Sequence, residues 1–559
     1  MWRIHHRTLQ KALPHFEELL ADNLCRFTLE AVSQLDQDAS IALAAIREWR
    51  NSFAHVNRIS TDVLSLIPTH LPIQKDRFHA ASVCRRWRGA LLEHGALWSQ
   101  LFLRKGEECV STLLARAKGS VLDIVIHNDV PAGAMALISP RAQQIRRLEF
   151  VRNHWQDIVS FSKFNSGQLL LLRALKIIHP TIIDPHSQPD IATSPPLSIF
   201  GGSINLGQFI FHSQTLSYLS HFTFPNLTTF ELMSRPRGKC SALHLLNFLK
   251  ASPMLQTVKV EVSATVTLSS VPQEMVVVLP NVRTFSLHVA DGPMTHLYDI
   301  AAHISRPCAR HTSLINEVDN TVMSLDLKIF PTLASWNTIV HQHTTSPVEE
   351  VTLEIHDPDY FNIESFLTFQ SFDTTVVRFG FDINETGIIR DEYMIHDQMG
   401  WEIFSQAFAA IQGHPRLLHL KRLRIDYRAA MSGFYPMSYV VDEVRDLFGL
   451  LGSLDELTIR GCDLHVFLSN FLDNPGIDGL EQPVVFPQTK ELTILHPLME
   501  EDEMECMNAI MELAESQHAL RIPFERITVH ARNLPAGMAE ELGRWVGAVD
   551  CREEEYTGQ

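Results

Sequence analysis

Groups able to do chemistry are numerous in this chain but seldom neighbours: it carries 28 histidines, 8 cysteines and 64 acidic residues. A phosphate-cradling loop, a nucleophile elbow and a zinc-hydrolase helix each need a fixed spacing, G-x-x-x-x-G-K-[ST], G-x-S-x-G or H-E-x-x-H. None of the three occurs. His341 and His343 could ligate a metal along a strand, but no carboxylate or cysteine accompanies them, and the pair reads as solvent-facing. Gly201, Gly202 and Gly207 lie in a proline-bounded stretch without dinucleotide-loop spacing. The cysteines (Cys25, Cys84, Cys109, Cys240, Cys308, Cys462, Cys506, Cys551) are scattered, which suits neither a zinc site nor a secreted disulfide framework. Free thiols in a reducing compartment follow. The densest charge run, Glu500, Glu501, Asp502, Glu503 and Glu505, leads into Met504, Met507 and Met511 at helical spacing. Negative charge there complements the dipole of a helix start; a docking site for a basic target is the alternative. The expectation is an absence of chemistry: no catalytic residue, no metal, no cofactor and no enzyme.

Burial and surface are what the chain has instead. Its 559 residues are too many for one ordinary core, and 45% hydrophobic with 20% charged residues is the balance of a folded protein. The net charge, 47 − 64 = −17, argues against a nucleic-acid surface. The start is broken by His5, His6, Lys11, Glu17 and Glu18, so it has no signal-peptide apolar core. No apolar run reaches the roughly 18 residues of a membrane span. A protein of the cytoplasm or nucleus, away from membranes, is expected.

Three segments must position the working surface. Residues 1–58 read as helical, with Leu29, Val32, Leu35, Ile41, Ala44, Ala45 and Trp49 at helical spacing. An amphipathic helix packing on the next module is the plain reading; a self-associating coiled coil is the sharper one, with few clean heptads behind it. Residues 59–104 form a compact apolar segment with three helix signals. Ser60 caps a helix from Thr61 to about Leu71, kinked or shortened at Pro68. Asp76 caps a second helix running to about Leu92, and Gly95 precedes a third apolar stretch, Leu97, Trp98, Leu101 and Phe102. Arg85, Arg86 and Arg88 read as a solvated helix face rather than a basic patch.

From residue 105 to residue 550 the pattern changes to apolar-x-x-apolar-x-apolar. Its copies begin at Ile145, Leu172, Leu227, Leu255, Val282, Val348, Val376, Leu420, Leu454 and Phe524, with a weaker one at Thr489. Leu172 follows Ile145 by 27 residues, and Leu255 follows Leu227 by 28. Helix-period stretches lie between copies, among them Ala242, Leu245, Leu246 and Leu249, then Phe404, Ala407, Phe408 and Ile411, then Val440, Val444, Leu447 and Leu451, and prolines (Pro225, Pro253, Pro280, Pro347, Pro487) often precede the copies. Helix, turn and short strand in repetition predict an α/β fold of solenoid (horseshoe) type. The intervening strand residues, among them Lys259, Glu261, Ser286, His288, Glu354, Arg424, Asp426 and Arg460, are expected to face outward. Residues 179–207, rich in proline, read as a surface insertion; 288–347 reads as an irregular unit and 551–559 as a tail.

Residues 59–98 resemble the F-box. That family opens apolar-Pro-x-acid-apolar-apolar; here stand Ile59, Ser60, Thr61, Asp62, Val63 and Leu64, continued by Ile67 and Leu71. Its centre matches Ala81, Ser82, Val83, Cys84, Arg85, Arg86 and Trp87, and its closing pair matches Leu97 and Trp98. Ser60 stands where the family has proline. An upstream helix, a three-helix F-box, a first strand at Gly119–Ile124 and irregular leucine-rich repeats make an order common in basidiomycete fungi. The resemblance implies the substrate-recognition subunit of a Skp-cullin-F-box type ubiquitin ligase. Ile59, Val63, Leu64, Ile67, Leu71, Phe78, Val83, Cys84, Trp87, Leu97 and Trp98 would be shared between the module's core and a Skp-family adaptor, and through it a cullin. Trp87 and Trp98 would carry most of the interface energy. The repeats would bind a target protein. The alternative is a non-enzymatic leucine-rich-repeat interaction scaffold with a vestigial F-box.

Overall fold

A side chain in a strand alternates between two faces, so apolar residues two apart converge on one of them. In the computed structural model every one of the eleven apolar-x-x-apolar-x-apolar copies becomes a strand. Leu148 and Phe150, Phe230 and Leu232, Val258 and Val260, and Leu457 and Ile459 are buried on one face, while their neighbours in sequence keep solvent contact. The structure describes residues 29–53, 59–71, 74–103, 106–128, 130, 132–165, 169–179, 200, 205–234, 240–263, 265–290, 294–319, 348–359, 362–371, 376–384, 420–429, 454–460, 489–495, 503–531 and 537–553. The histidines at 341 and 343, most of the proline-rich stretch, Gly201 and Gly202, and the helical stretches expected near 404–411 and 440–451 lie outside them.

The chain divides into two units, residues 1–125 with 130–145, and residues 126–129 with 146–559. The first is mainly helical: Leu29–Ser52, Thr61–Leu66, Gln74–Ser82, Arg85–Glu93 and Glu107–Ala117, with strands Gln100–Leu103 and Leu122–His127 pairing. In the long helix Leu29–Ser52, Ala45 is buried and Leu35 and Ala44 are half-buried, while Val32, Ile41 and Trp49 are exposed, so the expected apolar stripe is covered only in part.

The second unit is a mixed α/β structure built on a large parallel sheet. Strands Ile145–Val151, Ala174–Ile178, Gln208–His212, Thr229–Ser234, Thr257–Ser263, Thr284–Ala290 and His311–Asp319 lie side by side in chain order, all parallel. The order then breaks. His311–Asp319 pairs in parallel with Val376–Asn384, which pairs antiparallel with Asn362–Ser371, itself antiparallel to Val348–Asp359. From Val348–Asp359 the parallel series resumes through Arg422–Ala429, Glu456–Arg460, Glu491–Leu495, Arg526–Ala531 and Ala548–Glu553. A three-stranded meander is thus inserted in reverse order.

Helices Leu243–Lys250, Met294–Ala302 and Glu503–Ala519 fall between strands, as the apolar spacing of Leu245, Leu246 and Leu249 and of Met507 implies. Part of the 288–347 segment is an ordinary unit, a helix followed by the strand His311–Asp319. Aromatic side chains pack together around strand Gln208–His212: Phe209 lies 5.0 Å from Phe222 and 5.2 Å from Phe224, and Phe230 lies 4.6 Å from Phe248. At roughly 1.5–3 kcal/mol for each fully buried large apolar side chain, this cluster anchors strand Gln208–His212 in the sheet.

The outward strand residues form charged rungs. Lys176 reaches Glu149 at 3.0 Å, Arg378 reaches Glu354 at 3.0 Å and Arg422 reaches Glu350 at 3.0 Å. Asp426 departs from the expected exposure. It is buried, with Arg424 of its own strand at 3.2 Å and Arg460, its in-register neighbour on the next strand, at 3.7 Å. Among the described residues no helix is long and apolar enough to cross a membrane, and no group of three or more histidine, cysteine or acidic side chains is placed to hold a metal. Cys84, Cys109, Cys240, Cys308, Cys506 and Cys551 are free thiols.

Candidate functional site

The segment 59–104 shows how little a small module can bury. Ser60, at φ −60 and ψ 153, caps the helix Thr61–Leu66, its hydroxyl accepting from Val63 N at 3.4 Å. That backbone conformation is one a proline could also adopt. The helix stops at Leu66, before Pro68, and continues as a 3-10 turn, Ile67–His70. The early stop is the expected effect of a residue that has no N–H to donate and whose ring crowds the carbonyl four residues back, while Ile67 itself keeps helical angles, φ −51 and ψ −51.

The second helix expected from Asp76 to Leu92 is two helices, Gln74–Ser82 and Arg85–Glu93, with Asp76 in the first turn of the former. They part at Val83 and Cys84. The Ser82 hydroxyl donates to His79 O at 2.7 Å, and Cys84 is extended at φ −158 and ψ 170. Arg88 Nε takes the open Ala81 carbonyl at 3.2 Å, and Arg86 donates to Ile59 O. Two of the three arginines therefore tie segments together rather than facing only water. The third helix is also replaced. Gly95–Trp98 is a 3-10 turn, and Leu101 and Phe102 lie in the strand Gln100–Leu103. A Cβ at Gly95 would stand 2.7 Å from Ala117 O, so glycine permits the approach of this turn to the end of helix Glu107–Ala117.

Arg77 holds the module from inside. It is 6% exposed, and its Nε donates to Leu71 O at 3.0 Å, Nη1 to Leu97 O at 3.3 Å and Nη2 to Gln100 Oε1 at 2.8 Å. Burial lowers its pKa, the direction expected for a desolvated cation. Sequence reasoning missed this residue, since nothing in its neighbours marks an arginine that turns inward.

The eleven residues expected at the docking surface separate into three groups. Leu64, Trp87, Leu97 and Trp98 are buried within the module. Trp98 is 2% exposed, donates from Nε1 to Leu91 O at 2.8 Å, lies 5.4 Å from the Phe78 ring and is capped by the Arg116 guanidinium at 5.0 Å. With these contacts Trp98 stands in the core of the module. Trp87 is likewise enclosed, with Nε1 lacking a partner among the described residues. Ile59, Leu71, Phe78 and Cys84 are half-buried. Val63, Ile67 and Val83 are exposed, Val63 at 47% and Val83 at 63%. Leu66, which the reading of the sequence left out, is 53% exposed beside them on the same short helix. Its signal was there: an apolar residue next to Ile67 on a helix too short to bury both. Helices Thr61–Leu66 and Gln74–Ser82 both pack on Arg85–Glu93, and the exposed residues lie on the first of these helices, in the 3-10 turn that continues it and at the break between the other two.

Residues 61–104 match the family described as F-box-like, so the module described above is an F-box-like domain. No curated protein matches the chain.

Proposed function

We propose that this chain is the substrate-recognition subunit of a Skp-cullin-F-box type ubiquitin ligase. F-box domains generally bind Skp-family adaptors, and the observation that carries the reading here is the exposure of Val63, Leu66, Ile67 and Val83 within the F-box-like domain. Four large aliphatic side chains open to water on so small a module are surface that a partner can cover. In this reading Ile59, Leu71, Phe78 and Cys84 contribute their half-exposed edges, while Leu64, Trp87, Leu97 and Trp98 act from beneath by fixing the helices.

The second unit, as an irregular leucine-rich-repeat solenoid of the fungal kind, is the target-binding part. The parallel register of its strands and the charged rungs on their outer face support that assignment. The chain does no chemistry of its own; holding a target beside a ubiquitin-charged enzyme raises the effective concentration of the target's lysines. Work of this kind belongs to the cytoplasm or nucleus.

Co-expression of the full chain with a Skp-family adaptor tests the proposal. The two are expected to co-purify as a stoichiometric complex through gel filtration. A folded chain that elutes alone at micromolar concentrations of both would remove the reading and leave a repeat scaffold with a vestigial F-box.

A further inference from the structure

Among the described residues, no carboxylate pairs with one fully buried arginine of the second unit. Arg306 is 0% exposed and follows the two-residue strand Ile304–Ser305, which pairs in parallel with Val277–Val278. Its backbone is fixed by Ala309 N donating to Arg306 O at 3.1 Å, and its Nη1 donates to Ile304 O at 3.2 Å. The guanidinium carbon stands 4.0 Å from the centroid of the Phe285 ring. Phe285 is on the buried face of strand Thr284–Ala290, and Thr312 is its in-register neighbour on strand His311–Asp319, also buried. Nε and Nη2 of Arg306 and Oγ1 of Thr312 are enclosed without a hydrogen-bond partner among the described residues.

A buried guanidinium with one carbonyl contact is a poor structural choice, since an apolar side chain of the same length would serve the core better. The free atoms also form a pattern. Nε and Nη2 make the edge of the guanidinium that presents two parallel N–H groups to two oxygens of one anion. The Phe285 ring lies against the guanidinium, and Thr312, in register with Phe285 on the adjacent strand, carries a buried hydroxyl. We propose that Arg306 is the receptor for a small oxyanion, a carboxylate or a phosphate group, gripped at two points by Nε and Nη2 and assisted by Thr312. Burial brings the Arg306 pKa down to about 9, so the group still carries its charge at neutral pH. The site is independent of the F-box-like domain and of whether that domain docks an adaptor.

Thermal unfolding of the full chain tests this, with inorganic phosphate or sodium acetate added against sodium chloride at matched ionic strength. The wild type is expected to melt at rising temperature with the logarithm of phosphate or acetate concentration, as a ligand that binds only the folded state requires. The responding anion identifies the source as a tetrahedral or a planar group. Arg306→Met is expected to start at an equal or higher melting temperature and to lose the response. Arg306→Lys keeps the charge without the fork, and needs at least about tenfold more anion for the same shift. An indifferent wild type overturns the proposal, as does an equal response in Arg306→Met. Should the methionine variant fail to fold, an unchanged response in Arg306→Lys overturns it.

Discussion

The two units treat their apolar residues differently. In the sheet, Leu148, Phe230, Val258, Leu457 and Ile527 are all buried, and the positions between them carry Glu149, Glu231, Lys259, Thr458 and Thr528. A strand with a neighbour on each side and helices over one face finds cover for its apolar half within the unit itself. The F-box-like domain has no such surplus of neighbours. Its first helix, six residues long, turns Leu64 inward and leaves Val63 and Leu66 in solvent. The comparison teaches that a six-residue helix with few neighbours leaves apolar side chains on its outer side, whereas a strand flanked on both sides buries its apolar half.

Several substitutions break or sharpen that contrast. The largest effect is expected from Trp98→Ala, which removes a buried core ring and should destabilise the first unit by about 3–5 kcal/mol. Hydrogen exchange should rise across residues 74–117 and stay unchanged in strands Thr257–Ser263 and Thr284–Ala290. Spread of the effect into those strands would show that the two units are not independent. Arg77→Met comes next, because three acceptors lose their donor at once; about 2–3 kcal/mol of stability should go, read from urea unfolding of the first unit. In the sheet, Asp426→Asn leaves Arg424 and Arg460 without their shared carboxylate. Both arginines are about a third exposed, and solvent screening limits the expected loss to about 1–2 kcal/mol, again by denaturant unfolding. Ser60→Pro is the smallest. Its φ of −60 suits proline, so the lost cap and the stiffer unfolded chain should nearly cancel, within about 1 kcal/mol.

Much of the sheet was legible in the sequence, because a strand that is buried on one face writes its period into its residues. The strands that escaped notice show the limits of that signal. Thr312 occupies the central apolar position of strand His311–Asp319 and hides it, and the antiparallel strand Asn362–Ser371 follows no helix. Gln208–His212 carries Leu206, Phe209 and Phe211 in the usual pattern but stands behind the proline-rich stretch. The last strand, Ala548–Glu553, runs through residue 551, where the tail was expected to begin.

In the F-box-like domain, residue types were readable but directions were not. Trp87 and Trp98 look alike, as interface residues, to any reading of composition. Only the fold shows that Leu91 O and Arg116 already occupy Trp98. The break at Val83 and Cys84 is equally a tertiary effect, set by Ser82, Arg88 and the packing of three short helices, and it is what places Val83 in solvent.

The most direct measurement is the affinity of a purified Skp-family adaptor for the wild type and for a Val63→Asp, Val83→Asp double variant, by isothermal titration, with circular dichroism on both. Both residues are exposed, so the variant should keep its fold and its unfolding midpoint. Its affinity should fall by about 2 kcal/mol or more, roughly thirtyfold, if these side chains are the docking surface. Equal affinity in the two folded proteins would contradict the assignment and move the docking surface elsewhere on the chain.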